Sequence, residues 1–430
     1  MDGVVNSIKS LSKEPGQLYA QLSLQTNVLS QQSAQSLTHA LAALNPVQHS
    51  LGYLVLLEAR GGPATPSHPD VAFVNLAADF IRDCDESQIR IAKEQFVSMC
   101  RKLKEQLLLL DSPRRAVLPL RTALGKLAES TTLVTPLHAD LCQVCVLSKC
   151  YGAALPVLDL EVDDVDPKKT AMTAKDFLLF GYYGGLVYTG LRDYSKALNM
   201  FLYTLTAPTM VVNAITMAAY KKFVLVSLIH AGSFKGLPKH TPAAVTRSTK
   251  AECSAYQDLE KAYSKTDEDL HKAVNTHSQA FQEDGNAGLV KLALSARTMR
   301  AIQKLTQTYL TLSLADIAAQ VGLGSAAEAE QHILQMIDGG QVFARIDEAA
   351  GMVRFLEDPE RYDTAKVVQR IDAQIQQSIA ISGRLTDINQ RISCDKVYLN
   401  KVGGKDRHNR MEDISDLGAG AEQMAYQFNP

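Results

Sequence analysis

An excess of charge of either sign is missing. Lys and Arg number 44 against 46 Asp and Glu, a net of −2, so no global field draws this chain to nucleic acid or to an acidic membrane. Long apolar runs are missing too. The apolar run Phe177–Leu191, between Asp176 and Arg192, holds 15 residues with four glycines, short of the roughly 18–20 that a bilayer span needs. The opening MDGVVNSIKS has neither a basic nor an apolar signal region, so no signal peptide is expected. Cysteines are only seven, odd in number and irregularly spaced, which argues against a disulfide framework and for free thiols in a reducing compartment. Neither a secreted disulfide protein nor an integral membrane protein is expected on these grounds.

Catalytic signatures are equally scarce. There is no G-x-x-x-x-G-K-[ST], no H-E-x-x-H, no H-x-H pair and no G-x-S-x-G, hence no nucleotide loop, zinc hydrolase or serine elbow to build on. One cluster resembles a metal site: His138, Cys142, Cys145 and Cys150. Four such ligands could hold zinc. The first three, however, fall at i, i+4 and i+7 on one helix face, where cysteine behaves as a small hydrophobe. Buried core is the preferred reading, with zinc or redox chemistry as the alternative. The acidic row Asp159, Glu161, Asp163, Asp164 and Asp166 lacks the glycine and glutamate of a calcium loop and reads as a solvated connection. No enzyme activity, metal or cofactor is expected.

What is present is helix. With 430 residues, 46% apolar and 21% charged, the chain is ordinary for a globular protein of two to four domains. Residues 1–60 show helical spacing, as at Leu37, Leu41 and Leu44. The prolines and glycines of 61–69 then predict a loop. From 71 to about 206 a small residue recurs four positions before a large one: Ala116/Leu120, Ala154/Leu158 and Ala197/Phe201, at intervals of 38 and 43. In the third copy Gly185, Tyr188, Ala197 and Phe201 fall where a tetratricopeptide unit has its small and aromatic residues. The pattern reads as stacked helical hairpins, a generic antiparallel helix pair being the alternative; one hairpin cannot bury its own apolar face. Gly184-Gly185 suggests close helix packing. The stretch Ala231–Lys250 carries Lys235, Lys239, Arg247 and Lys250 without an acid; it reads as a solvated connection, or alternatively as a basic surface for an acidic partner.

Residues 299–356 change grammar. Met299–Leu310 is a helix candidate, Ser313 caps Leu314–Val321, and Ser325 caps Ala326–Ile337, which Gly339-Gly340 ends. Gln341–Ile346 and Met352–Phe355 are strand candidates around a turn. That order predicts a winged helix. Its second helix carries Glu328, Glu330 and Asp338 and no Lys or Arg, the wrong charge for phosphates. A protein-binding winged helix is expected instead, with Val342, Phe343, Arg345, Met352, Arg354 and Phe355 of the hairpin as candidate interface. Beyond Asp363, Val368, Ile371, Ile375, Ile379, Leu385, Ile388 and Ile392 recur on a long helix. Such a stripe needs helical partners. Polar Ser378 and Ser382 argue for a mixed bundle over a two-stranded coiled coil.

Stacked hairpins running into a winged helix resemble the layout of the PCI-domain family, found in the proteasome lid, the COP-nine signalosome and initiation factor three. The segments LHADLCQVCVLSKCYGAALPVLD, YYGGLVYTGL, AYKKFVLVSLI, LTQTYLTLSLADIA and GMVRFLEDPERY are similar to those of the third-subunit family of the signalosome, over about 45–395. The resemblance implies an all-α fold with a small winged-helix hairpin, and the role of a non-catalytic scaffold. The complex would remove the ubiquitin-like modifier from cullin-RING ligases through a metalloprotease site on another subunit. It implies subunits one and eight as neighbours, a shared bundle of C-terminal helices, no nucleic-acid or membrane partner, and a place in nucleus and cytoplasm. A lid subunit and a nucleic-acid-binding PCI protein are the alternatives. The expected division is 1–195 helical repeats, 196–364 PCI domain (helical part 196–298, winged helix 299–356), 365–396 bundle helix, and 397–430 disordered tail, polar from Gly403.

Overall fold

Side-by-side helical hairpins dominate the computed structural model, which describes residues 2–12, 14–61, 69–128, 133–160, 165–357 and 364–403. The chain divides into two units, Met1–Phe355 and Leu356–Pro430. In the first, helices Asp2–Ser10, Pro15–Ser30, Ala34–Ala42 and Ser50–Arg60 lead into Val71–Asp83, and then into Lys93–Leu109 with Arg114–Leu127. Pro136–Leu147, Ala174–Gly190 with Tyr194–Thr206, and Ala214–Ala231 follow. The predicted loop at 61–69 lies mostly outside the described residues.

The repeat is recorded in its turns. Helices Lys93–Leu109, Pro136–Leu147 and Ala174–Gly190 each end on a residue in the left-handed region: Asp111 (φ 48°), Lys149 (φ 55°) and Arg192 (φ 63°). Each turn closes the same pair of hydrogen bonds. The amides of Asp111, Lys149 and Arg192 donate to Leu108, Val146 and Thr189; those of Ser112, Cys150 and Asp193 donate to Leu107, Cys145 and Tyr188 at 3.0 Å. That is the two-bond glycine-type helix stop, made here without glycine. Ala116, Ala154 and Ala197 all sit five residues past the left-handed position, so the intervals of 38 and 43 read from the sequence are those of the turns.

Close packing in the third hairpin explains its glycines. A Cβ on Gly185 would stand 2.5 Å from the Phe201 ring, and one on Gly181 the same distance from Thr204 Oγ1. Ala197 and Phe201 are fully buried. Ions then tie hairpin to hairpin. Arg101 Nε meets Asp140 Oδ2 at 3.0 Å, and its Nη2 meets Asp176 Oδ1 at 2.5 Å. Lys104 Nζ takes Asp140 Oδ1 at 2.5 Å. Asp176 is also the acid of a capping box with Thr173. The two carboxylates are nearly buried, and these cations offset the cost of taking them out of water.

Several expectations are corrected. The second repeat has no full second helix: a 3-10 turn, Tyr151–Ala154, runs into a single α-turn, Leu155–Leu158, with Pro156 in its first turn. The basic stretch is not all connection, since Ala243–Glu252 is a helix with Val245 and Thr249 buried. The boundary at 195/196 cuts helix Tyr194–Thr206, and that at 298/299 cuts helix Ala287–Thr306. Residues 396–403 are helical; Asp395 Oδ1 accepts the Val397 amide at 2.7 Å as a cap. The rest of the expected tail lies outside the described residues, as do Glu161, Asp163 and Asp164. Among the described residues one helix, Ala214–Ala231, is long and apolar enough to cross a bilayer. Here it is a core helix, with Phe223–Ile229 buried by its neighbours.

The histidine–cysteine cluster is taken up by packing and capping. Cys142 and Cys145 are fully buried, and burial pushes the Cys145 thiol up to about 11. His138 Nδ1 accepts the Thr135 amide at 3.0 Å and closes the helix cap, while its ring meets Phe180 edge-on. Among the described residues no three His, Cys, Asp or Glu converge on one point. Burial lowers the His138 pKa to about 4, below the ~6.5 of an unfolded histidine. The unfolded chain therefore takes up a proton that the folded one refuses, and stability is lost as the pH falls through that interval. Urea denaturation from pH 7 to pH 5 should show about 2 kcal/mol of loss from this side chain, and His138→Gln should remove that share of the slope.

Candidate assembly surfaces

The winged helix hangs on one long helix. Ala287–Thr306 places Val290 and Ala293 in the hairpin core and Ile302 in a second core with Leu314, Ile317, Ile333, Met336 and Val353. Between them Arg300 turns its guanidinium onto the end of helix Ala214–Ala231. Its Nη2 donates to Ile229 O at 2.6 Å and to His230 O, and Nη1 donates to Leu228 O at 3.4 Å. Leu228 O already accepts the Gly232 amide at 3.0 Å, whereas Ile229 and His230 stand among the last carbonyls of the helix, which lack an intrahelical donor, and the helix dipole adds to the attraction. Gly232, in the left-handed region at φ 71°, leaves the room: a Cβ there would collide with Arg300 Nη1.

The sheet has three strands rather than the expected two. β1 (Thr311–Ser313), β2 (Ala344–Asp347) and β3 (Met352–Phe355) run in the order β1-β3-β2, all antiparallel. β1 is three residues long and merges into the cap of the next helix, where Ser313 accepts the Asp316 amide. Its strand character was therefore hidden behind a helix-start signal. β2 begins three residues later than the predicted Gln341. The helix Ala326–Asp338 starts where expected: Ser325 accepts the Glu328 amide, and the Glu328 carboxylate accepts the Gly324 amide at 3.0 Å.

Alternation sorts the candidate residues. Val342 and Phe355 are each 6% exposed and belong to the wing core. That corrects the expectation that they lie on a surface: strand alternation turns Phe355 inward, and Val342 packs into the wing core from the segment just before β2. Phe343 is half-buried. Arg345, Met352 and Arg354 point outward and are exposed. Arg345 and Arg354 are register partners across β2 and β3, and neither makes an ion pair among the described residues. Like charges placed directly opposite repel. Among the described residues β2 has no strand on its other side. Two exposed apolar residues escaped the sequence reading: Leu310, 80% exposed just before β1, and Leu334 on the acidic helix.

The second unit is dominated by helix Ala365–Ser393. All seven candidates on it are exposed, from Ile392 at 48% to Leu385 at 67%. They do not form one stripe. At ~100° per residue, Val368, Ile371, Ile375 and Ile379 share one face, while Leu385, Ile388 and Ile392 are turned by about 110° from it. Ile381, unnoticed in the sequence and also exposed, joins the second face, so Ile381, Leu385, Ile388 and Ile392 recur at i, i+4, i+7 and i+11. The predicted six-residue gap after Ile379 is the point where one face gives way to the other.

Two family models match. "COP9 signalosome complex subunit 3, N-terminal helical repeats" covers residues 12–245, and the PCI domain covers 274–357. The chain belongs to the COP9 signalosome subunit 3 family. Relatives carrying that name include a protein of Arabidopsis thaliana, 40% identical over 97% of this chain and 96% of its own length. Another, from Dictyostelium discoideum, is 36% identical over 88% of this chain and 93% of its own. The subunit 3 repeat match thus ends within helix Ala243–Glu252, and the PCI match takes in the long helix and the whole sheet.

Because Arg300 holds the joint between hairpins and wing, Arg300→Met should cost about 2 kcal/mol, the scale of charged hydrogen bonds to carbonyls. Urea denaturation of the full chain would measure the loss.

Proposed function

We propose that this chain is a non-catalytic scaffold subunit of the COP9 signalosome. One observation carries the reading: a chain of this family presents a 29-residue helix, Ala365–Ser393, with exposed isoleucines on two faces. Burying one such side chain is worth about 1.5–3 kcal/mol, so a helix of this kind gains by entering a bundle. Two faces offset along its length fit a helix wedged between different neighbours. The free edge of β2 fits addition of a strand from an adjoining winged helix, and the Arg345/Arg354 pair favours an acidic neighbour. In this reading subunits one and eight flank the chain, and the complex removes the ubiquitin-like modifier from cullin-RING ligases with a metal site on another subunit. The assembly works in nucleus and cytoplasm. The match to the subunit 3 repeat model argues against a proteasome-lid subunit, and the acids of helix Ala326–Asp338 argue against a nucleic-acid reader.

The two faces are separable by mutation. Ile375→Asp and Ile388→Asp should each reduce co-purification of partner subunits from cells at least tenfold, with different subunits lost first. Circular dichroism of the full chain should be unchanged. Undiminished recovery of every partner from both variants would contradict the bundle.

A further inference from the structure

Neither assembly surface uses the basic stretch that ends in helix Ala243–Glu252. That helix, the first half of helix Ala214–Ala231 and the loop 207–213 enclose a cavity of about 800 Å³ with Asp284 and Asn286 in its wall. Three cations line it, Lys221, Lys222 and Arg247, with two acids, Glu252 and Asp284. Asp284 is already satisfied: Lys221 Nζ lies 2.6 Å from Oδ1, and the Tyr256 hydroxyl donates to Oδ2 at 2.8 Å.

Lys222 is different. Its ammonium donates to the side-chain oxygen of Asn286, a neutral group, and no carboxylate stands within ion-pair distance among the described residues. The Asn286 amide nitrogen donates to the Tyr256 hydroxyl at 2.6 Å, so the oxygen is held facing the lysine. Burial, opposed by Asp284, pushes Lys222 below the usual lysine range. A half-buried cation without a counter-ion is costly, and an incoming anion offsets that cost. Arg247 also makes no ion pair among the described residues, and Ser248 beside it adds a hydroxyl to the wall.

The rim is apolar. Met210 and Val211 line the cavity at 94% and 76% exposed. A second cavity of about 860 Å³, walled by Met172, Phe177, Pro208 and Ile215, shares Asn213 and Ala214 with the first. A free small anion would leave these apolar surfaces unused. A nucleic-acid strand would carry its phosphates past Glu252. An acidic group next to an apolar side chain satisfies both features at once.

We propose that this cavity receives an acidic peptide segment of a partner protein, with one carboxylate or phosphate on Lys222 and Arg247 and an adjacent apolar side chain against Met210 and Val211. The site is independent of the wing and of the C-terminal helix, so it can be tested on the full chain alone. Immobilised full-length protein is challenged with two oriented peptide libraries, degenerate in Leu, Ile, Val and Phe around a fixed centre. One library has phosphoserine or glutamate at that centre and the other serine or glutamine. Mass spectrometry reads the retained peptides. The acidic library should be retained at least tenfold over the neutral one. Lys222→Gln and Arg247→Gln should each abolish that preference, while Lys250→Gln, an exposed control on the same helix, should leave it. Thermal melts within about 2 °C of the parent would show the variants folded. Equal retention of both libraries by the parent, or a preference untouched by Lys222→Gln and Arg247→Gln, would overturn the proposal. Binding of a labelled RNA 20-mer lost in the same two variants, with no peptide preference, would also overturn it and assign the cavity to nucleic acid.

Discussion

Helix Ala287–Thr306 belongs to two hydrophobic cores, and the placement of the winged helix on the hairpin stack depends on it. Its first half packs with Tyr263 and helix Ala214–Ala231, and its last turns enter the wing core through Ile302. The guanidinium of Arg300 locks the two by taking the terminal carbonyls of the neighbouring helix. Tyr263 adds a hydroxyl bond to Ala293 O at 3.0 Å, and Arg297 lies over its ring. A rod anchored in this way holds β2 at a fixed place on the stack. A scaffold needs that property: it must present an edge at a defined position with little ordering cost when a neighbour arrives.

The hairpin stack meets the same requirement by other means. Three identical helix stops set the hairpin geometry, and the Arg101, Lys104, Asp140 and Asp176 network couples successive hairpins through buried charge. Glycine at 181 and 185 lets the two helices of the third hairpin approach until larger residues would overlap. These features confer rigidity, and His138 and the buried thiols of the stack are engaged in capping and packing.

Much of this was legible in the sequence, for identifiable reasons. The spacing of alanine and large apolar residue was visible because it is in phase with the turns, and the caps at Ser313 and Ser325 because a short oxygen before an apolar run has few other uses. β1 was invisible because three residues cannot show a period. Phe355 was misplaced because the sequence shows that a strand alternates but not which face the core takes, and Val342 because β2 starts only at Ala344. The two faces of helix Ala365–Ser393 were read as one because Ile381 was left out, and without it the step between faces looks like a gap. The cavity around Lys222 joins residues from 182 to 286, a proximity that only the fold creates.

A scaffold subunit should be recovered from cells bound to the proteins that it holds together. Native mass spectrometry of the tagged protein, purified gently from its own cells, should therefore show an assembly of several distinct subunits, one of them a metalloprotease. A free 46.9 kDa monomer without partners would contradict that role.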